Sequence, residues 1–109
     1  MGGYRRATVA AIPAASGIQT GRASYYSGGG RTAAGGRVGV ATCAHRSLPF
    51  GTRVLVTNLA NLRRAILTVN DRGPFVGGRI VDVSVGAAGI LGMLHSGTIP
   101  VSVQVVGRG

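Results

Sequence analysis

Acidic residues and cysteine are both scarce in this sequence, and each shortage limits the chemistry it can perform. The acidic residues are Asp71 and Asp82 alone, there is no Glu, and all 12 basic residues are Arg. A site that needs three or more carboxylate ligands is therefore excluded. The one cysteine, Cys43, cannot form an internal disulfide, so the redox state of its compartment stays open. No stretch approaches the roughly 18 apolar residues that a membrane-spanning helix needs.

Length and composition indicate one small globular domain. The chain has 109 residues, 45% of them hydrophobic, with 20 glycines. Its apolar content argues against intrinsic disorder, and its length allows one domain with a small core. A formal net charge of +10 favours anionic partners such as nucleic acid, lipid surfaces or an acidic cell wall. However, proteins encoded by GC-rich genomes are also rich in Arg, whatever their function. Because the arginines form no long block, nucleic acid is not an expected partner.

The first twenty residues differ from the rest. A basic start at Tyr4-Arg5-Arg6 is followed by an Ala-rich apolar stretch and then by small residues, which is the order of a secretory signal. The apolar stretch is short and contains Pro13, so residues 1–20 fit a tail as well as a weak or truncated export signal. We therefore place the folded domain at residues 21–107.

Short β-rich runs recur between Gly and Pro residues over the rest of the chain. Asn58 and Asn61 lie between the third and fourth runs and predict a β-hairpin, and Ser84 is placed to N-cap a short helix within residues 84–94. Six short strands with one or two short helices predict an all-β fold, a small β-barrel. The predicted strands are residues 21–26, 37–42, 52–57, 64–69, 79–83 and 99–106.

Asp71 lies where a predicted strand ends in a Gly-Pro turn, a place that favours catalytic groups. The neighbouring Arg72 would keep its carboxylate ionised, whereas burial against Phe75 would raise its pKa and suit it to donate a proton. The residues alone leave both possibilities open, and a third reading has Asp71 capping its own turn and pairing with Arg72.

The other polar candidates are Asp82, Cys43 and His45. Asp82 lies two residues before the predicted helix, and we expect a structural role for it, accepting bonds from backbone N–H groups or an Arg. Cys43 and His45 are two residues apart, and with the distant His95 they match no strong metal-binding pattern, so we expect neither a metal nor another cofactor. Cys43 is expected to be a small buried side chain, while His45 adjoins a turn that could share a groove with Asp71.

Six segments together form a recognisable pattern, and in this order they resemble the rare lipoprotein A (RlpA) family over residues 21 to about 106. The segments are Ala23-Ser24-Tyr25-Tyr26, Arg31-Thr32-Ala33-Ala34-Gly35, Ala44-His45-Arg46-Ser47-Leu48-Pro49-Phe50-Gly51-Thr52, Val56-Thr57-Asn58-Leu59-Ala60-Asn61, Asn70-Asp71-Arg72-Gly73-Pro74-Phe75 and Gly78-Arg79-Ile80-Val81-Asp82-Val83-Ser84. The resemblance implies a six-stranded double-psi β-barrel, the fold of expansins and barwin-like proteins, with an open groove for a polysaccharide.

The resemblance also implies a function. It points to a bacterial cell-envelope protein, periplasmic or secreted, that acts on peptidoglycan strands as an endolytic lytic transglycosylase. Such an enzyme cleaves the MurNAc–GlcNAc β-1,4 bond and leaves a 1,6-anhydro product. By position, Asp71 matches the family's catalytic acid and His45 its groove histidine. Residues expected to contact the glycan are Tyr25, Tyr26, Thr32, Arg46, Arg72 and Phe75.

Three departures from the family bear on this reading. Gly36 stands where the family usually has an acidic residue, and Leu62 stands where its hairpin usually has Gly. The family's lipoprotein cysteine and its separate peptidoglycan-binding domain have no counterpart in these 109 residues. A non-catalytic, expansin-like module that binds wall glycan is therefore the alternative to the enzyme, and we expect a monomer in either case.

Overall fold

The computed structural model describes residues 17–26 and 41–108. Six strands and one helix follow one another along the chain: β1 (Gln19–Tyr26), β2 (Thr42–His45), β3 (Arg53–Asn58), β4 (Arg64–Asp71), β5 (Arg79–Ser84), α1 (Val85–Leu91) and β6 (Thr98–Gly107). The strands close into a barrel in the order β1-β5-β2-β4-β3-β6. The predicted all-β barrel is confirmed, with one short helix among the described residues.

The barrel is mixed, because two of its strand pairs are parallel. β1 runs parallel to β5, β2 runs parallel to β4, and the other four neighbours are antiparallel. Since β2 lies between β4 and β5, the end of β4 and the middle of β5 meet on either side of it. This arrangement sets the position of the two aspartates.

Alternation along the strands builds the core. On β6 the inward residues Ile99, Val101 and Val103 are almost fully buried, while their neighbours are more exposed. The same alternation places Val residues of β3 and β5 inside the barrel. Burying each such side chain stabilises the fold by about 1.5–3 kcal/mol relative to leaving it in water.

The predicted strand at residues 37–42 overlaps β2 only at Thr42, since β2 begins there and runs to His45. Ala41 precedes the strand, and residues 37–40 lie outside the described residues. The first strand begins at Gln19, two residues before the predicted start of the domain. Residues 1–16, which carry most of the predicted tail or export signal, also lie outside the described part.

The helix α1 begins as the sequence predicts. The Ser84 backbone is extended and its Oγ accepts a hydrogen bond from the Ala87 N–H at 3.2 Å, which satisfies one free donor of the first turn. Gly92 ends the helix with a φ of 70°, a left-handed conformation that suits glycine. Leu91 on the inner side is fully buried, so the helix covers part of the barrel core.

The predicted hairpin between β3 and β4 is also confirmed, with Val56 opposite Ala65 and Thr57 opposite Arg64. Its turn is held by Asn58, which is buried: Nδ2 donates to the Leu91 carbonyl at 2.9 Å, and Oδ1 accepts from the Ala60 N–H at 2.9 Å. One side chain thus joins the hairpin to the end of the helix.

The turn contains a strained position. Leu62 has a φ of 66° and is 71% exposed, so its side chain gains little from packing while its backbone lies in the left-handed region. That conformation costs an L-residue about 1–2 kcal/mol and costs glycine nothing. We expect Leu62→Gly to raise the free energy of unfolding by about 1 kcal/mol, measured by urea denaturation.

Leu59 in the same turn supplies the control, because it is exposed but has no positive φ. Leu59→Gly should lower the free energy of unfolding by a few tenths to about 1 kcal/mol through the added freedom of the unfolded chain. Equal shifts in the two variants would contradict the assignment of strain to Leu62.

Candidate active site

A bulge near the end of β4 brings Asp71 next to β2. Thr42 pairs with Thr68 and Cys43 with Val69, but Ala44 then pairs with Asp71 because the register shifts at this point. Without the shift Ala44 would face Asn70. The bulge therefore selects which residue of the Asn70-Asp71 pair shares the outer face of β2, and bulges commonly re-aim side chains in this way.

Asp82 lies on the other side of the same alanine. Ala44 pairs with Asp82 across β2 and β5, and Asp82 pairs in turn with Ser24 on β1. Paired residues of neighbouring strands have their side chains on the same face. Four strands thus contribute one row, Ser24–Asp82–Ala44–Asp71, which we call the two-aspartate row.

Direct contacts support this register. The Ser24 hydroxyl donates a hydrogen bond to Asp82 Oδ1. Both aspartates are partly exposed, whereas Val81 and Val83, the neighbours of Asp82 on β5, are fully buried in the core. The row therefore lies on the outer face of the sheet, where the two aspartates are partly exposed and Ser24 and Ala44 are buried.

Tyr26 lies on the same face, two residues beyond Ser24. Its hydroxyl is 3.4 Å from the Thr42 Oγ1. Burial raises the pKa of Tyr26 above its ordinary value, and the nearby negative charges of Asp71 and Asp82 act in the same direction, while the Thr42 hydrogen bond opposes them. Tyr26 is thus within electrostatic reach of both aspartates and keeps its proton.

Two arginines join the segment after β2 to the segment after Asp71. Arg46, in the first segment, donates to three backbone carbonyls of the second: Pro74 at 2.7 Å, Val76 at 2.9 Å and Arg79 at 2.8 Å. Arg72 reaches in the opposite direction, and its Nη1 donates to the His45 carbonyl at 3.0 Å. We call this pair of interactions the arginine clasp.

The Arg72 guanidinium also lies over the Phe50 ring, 4.3 Å from its centroid, which adds a cation–π contact to the clasp. The Asp71 Oδ1 accepts the Arg72 backbone N–H at 2.9 Å. Asp71 thus holds the backbone of the residue that follows it. The Arg72 guanidinium, however, is directed to the His45 carbonyl and the Phe50 ring.

His45 is a buried ring, 3% exposed, with hydrogen bonds at both nitrogens. Nδ1 accepts the backbone N–H groups of Ser47 and Leu48, both at 3.1 Å, so the proton is on Nε2, which donates to Gln19 Oε1 at 3.0 Å. Burial lowers the pKa of His45, and the positive charges of Arg72 and Arg46 lower it further. His45 is therefore neutral and holds the start of the segment that carries Arg46.

This lowered pKa makes stability depend on pH in a definite direction. Above the unfolded-state pKa of about 6.5 the ring is neutral in both the folded and the unfolded chain, and its contribution to the free energy of unfolding is fully present. Below it the unfolded chain binds a proton more readily than the folded one, so the free energy of unfolding should fall by up to about 1.4 kcal/mol per pH unit. Urea denaturation between pH 7.5 and 5 measures this slope.

The matched variants are His45→Gln and His95→Gln, since His95 is exposed on a turn. We expect His45→Gln to flatten the slope and His95→Gln to preserve it. A slope that disappears only with His95→Gln would show that His45 is not the group responsible.

The structure brings some predicted site residues together and separates others. Asp71 and Tyr26 share one face, but the Tyr25 hydroxyl donates to the Leu94 carbonyl at 2.9 Å and its ring packs against the core. Phe75 is 78% exposed, so it does not bury Asp71. Thr32, and Gly36 where the family has an acid, lie outside the described residues.

Sequence reasoning missed Ser24 and Thr42 as members of this face. Ser24 is separated from Tyr26 by one residue on a predicted strand, so alternation could have found it. Cys43 is fully buried in the core, as predicted, and burial raises its pKa to about 12, so it is not a reactive thiol. Over residues 17–26 and 41–108, no three His, Cys or acidic side chains gather as metal ligands, and no helix has the length and hydropathy of a membrane span.

Comparison with known proteins gives consistent matches. Residues 18–103 match a family described as "Lytic transglycolase". A "Probable endolytic peptidoglycan transglycosylase RlpA" of Nostoc sp. is 54% identical over 95 residues, covering 81% of this chain and 26% of that protein. An "Endolytic peptidoglycan transglycosylase RlpA" of Neisseria meningitidis is 45% identical over 93 residues, covering 81% of this chain and 39% of that protein.

Among solved structures, a mutant expansin of Clavibacter michiganensis in complex with cellohexaose superposes with a TM-score of 0.66 at 27% identity, covering 83% of this chain and 50% of that one. The curated relatives above are longer, since the chain spans 26% and 39% of them. Because the family match covers most of the chain and the relatives share about half of their aligned residues with it, the chain belongs to the RlpA-like lytic transglycolase family of double-psi β-barrels.

Proposed function

We propose that this domain is an endolytic peptidoglycan lytic transglycosylase of the bacterial cell envelope, with Asp71 as its general acid and base. The observation that carries the proposal is the bulge in β4, which brings a partly exposed carboxylate to the outer face of the barrel. The names of the family and of its relatives supply the class of substrate, peptidoglycan glycan strands.

The reaction needs only one carboxyl group for proton transfer. Protonated Asp71 donates its proton to the glycosidic oxygen as the bond between that oxygen and C1 of MurNAc breaks. The resulting carboxylate then takes the proton of the same sugar's C6 hydroxyl, whose oxygen bonds to C1 and closes the 1,6-anhydro ring. Asp71 ends the cycle protonated, and no water is consumed.

The surroundings of Asp71 support this role by fixing its position. The Arg72 N–H binds one carboxylate oxygen, and the arginine clasp holds the segments on both sides of the strand end. A well-held general acid contributes about 10²–10⁴-fold to a rate. In this proposal His45 positions the clasp as a neutral ring, and Tyr26 and the exposed Phe75 contact the sugar rings.

The test is to incubate the purified protein with peptidoglycan sacculi and to analyse the released muropeptides by mass spectrometry. We expect products with 1,6-anhydro ends, 18 mass units lighter than the hydrolysed equivalents because no water is added. Hydrolysed products alone would indicate a different reaction, and no products at all would refute the enzyme.

The alternative is a non-catalytic module that binds wall glycan. Two observations favour it: the similarity to the expansin crystallised with cellohexaose, and the exposed Phe75 ring beside the site, which can stack on a sugar. The loss of the family's acid at Gly36 fits the same reading. Binding to sacculi without release of anhydro products would establish this alternative.

A further inference from the structure

Asp82 has the surroundings of a working carboxylate, although its sequence position suggests a structural one. A structural aspartate at this position would accept backbone N–H groups or an arginine. The structure gives Asp82 one side-chain hydrogen bond, from the Ser24 hydroxyl to Oδ1. Asp82 is partly exposed, and among the described residues no hydrogen bond to its second oxygen, Oδ2, is found.

The register fixes how far Asp82 lies from Asp71. One strand, β2, separates them, and each is paired with Ala44. Two strand spacings put their backbones about 9–10 Å apart. Carboxyl groups that flank a scissile glycosidic bond in glycosidases are separated by about 5–9.5 Å, a range that two aspartate side chains across this gap can reach.

A small, buried residue lies between the two aspartates. Ala44 is paired with both aspartates, and its methyl group adds little bulk between the two carboxyl groups. Tyr26, whose phenol senses both negative charges, lies on the same face. A sugar ring held against this face would therefore meet the two partly exposed carboxyl groups and the Tyr26 side chain.

We propose that Asp82 is a second carboxylate of this reaction, held in place by Ser24, and that it stabilises the positive charge that develops on the MurNAc ring while Asp71 transfers the proton. The inference rests on the proposed function, because cleavage of a glycosidic bond is what produces an oxocarbenium-like ring. Asp82 donates and accepts no proton in this step, so the balance of atoms is unchanged. Ser24 is a positioning residue that acts through Asp82.

The test compares Asp82→Asn with the wild-type full chain on glycan strands freed of stem peptides. Asn has nearly the same volume, and its oxygen still accepts the Ser24 hydroxyl, so the fold is preserved while the charge is removed. We expect kcat for anhydro product to fall about a hundredfold, as when one preorganised electrostatic contact is deleted, with KM changed less than about threefold and an unchanged melting temperature.

Two further variants make the test specific. Asp82→Glu restores the charge, and its kcat should be at least tenfold higher than that of Asp82→Asn. Ser24→Ala leaves the carboxylate but removes its hydrogen bond, and should lower kcat several-fold without changing KM; it also tests the proposal should Asp82→Asn not fold.

The outcomes separate the two proposals. If wild type forms anhydro product and both Asp82→Asn and Ser24→Ala keep its kcat within about twofold, the inference is overturned and the proposed function stands. A loss of activity that merely parallels a loss of folded protein also overturns it, in favour of a structural Asp82. If wild type forms no anhydro product, the proposed function fails and the inference fails with it.

Discussion

The Asp71→Asn variant is expected to form 1,6-anhydro muropeptides about a thousandfold more slowly than wild type, the range of effect of a lost general acid. Asn cannot donate a proton to the glycosidic oxygen or take one from the C6 hydroxyl, so both half-reactions lose their catalyst. Its side-chain oxygen can still accept the Arg72 N–H, which is 2.9 Å from Asp71 Oδ1 in wild type. Mass spectrometry of initial product release measures the change.

Two controls make the result interpretable. The melting temperature of Asp71→Asn should match that of wild type, and its binding to sacculi should be retained, since its arginine-rich surface is unaltered. Product formation at the wild-type rate would show that another group is the acid even though the activity is real. Binding should weaken as salt concentration rises in both proteins, so binding alone does not identify the catalyst.

The strands of the barrel were predictable where one face is buried and the other is not. β6 alternates, and the hairpin of β3 and β4 carries its turn signals, so both were found to within one or two residues. The continuation of β2 from Thr42 to His45 was missed because all four of its residues are buried, and a run without alternation gives no period to read. The Ser84 N-cap was predictable because capping depends on local residue types.

The site was less predictable than the fold, because it depends on register. Asp71 could be singled out from its turn, but only the bulge in β4 places it opposite Ala44, and no residue pattern announces that shift. The same holds for Asp82, whose position in the sequence suggests a structural role and whose partner Ser24 is 58 residues away. A contact between residues so far apart in the sequence cannot be predicted from local residue patterns.

The hydrogen-bond partners of Arg46 could not be predicted from the sequence either. The resemblance of the chain to the family suggests that Arg46 contacts the glycan, and that assignment stays a prediction. The structure also shows that Arg46 Nε and Nη2 donate to three backbone carbonyls. A charged residue beside a candidate groove is easily taken for a ligand-binding group. The geometry of its hydrogen bonds gives it a second role, which is to hold the segment that follows Asp71.

Replacing Arg46 by Ala is expected to lower the free energy of unfolding by about 2–3 kcal/mol. Buried charge-assisted hydrogen bonds contribute about 1.5–3 kcal/mol each to stability. We expect less than three times that contribution from the three Arg46 bonds, because Arg46 is exposed. Turnover should fall as well, because the carbonyls released belong to residues 74–79, directly after Asp71. Urea denaturation and the anhydro-product assay measure the two effects.

Two variants distinguish the clasp from a general effect of charge. Arg46→Lys keeps the charge, but one ammonium group cannot match the planar fork that reaches all three carbonyls, so less than half of the lost stability should return. Arg64→Ala removes an exposed arginine at the start of β4, and the change should stay within about 0.5 kcal/mol. If Arg46→Lys restored full stability, charge rather than geometry would hold the segment. If the clasp depends on geometry, it requires the Arg46 guanidinium itself. The position of Asp71 then depends on a residue 25 positions earlier in the chain.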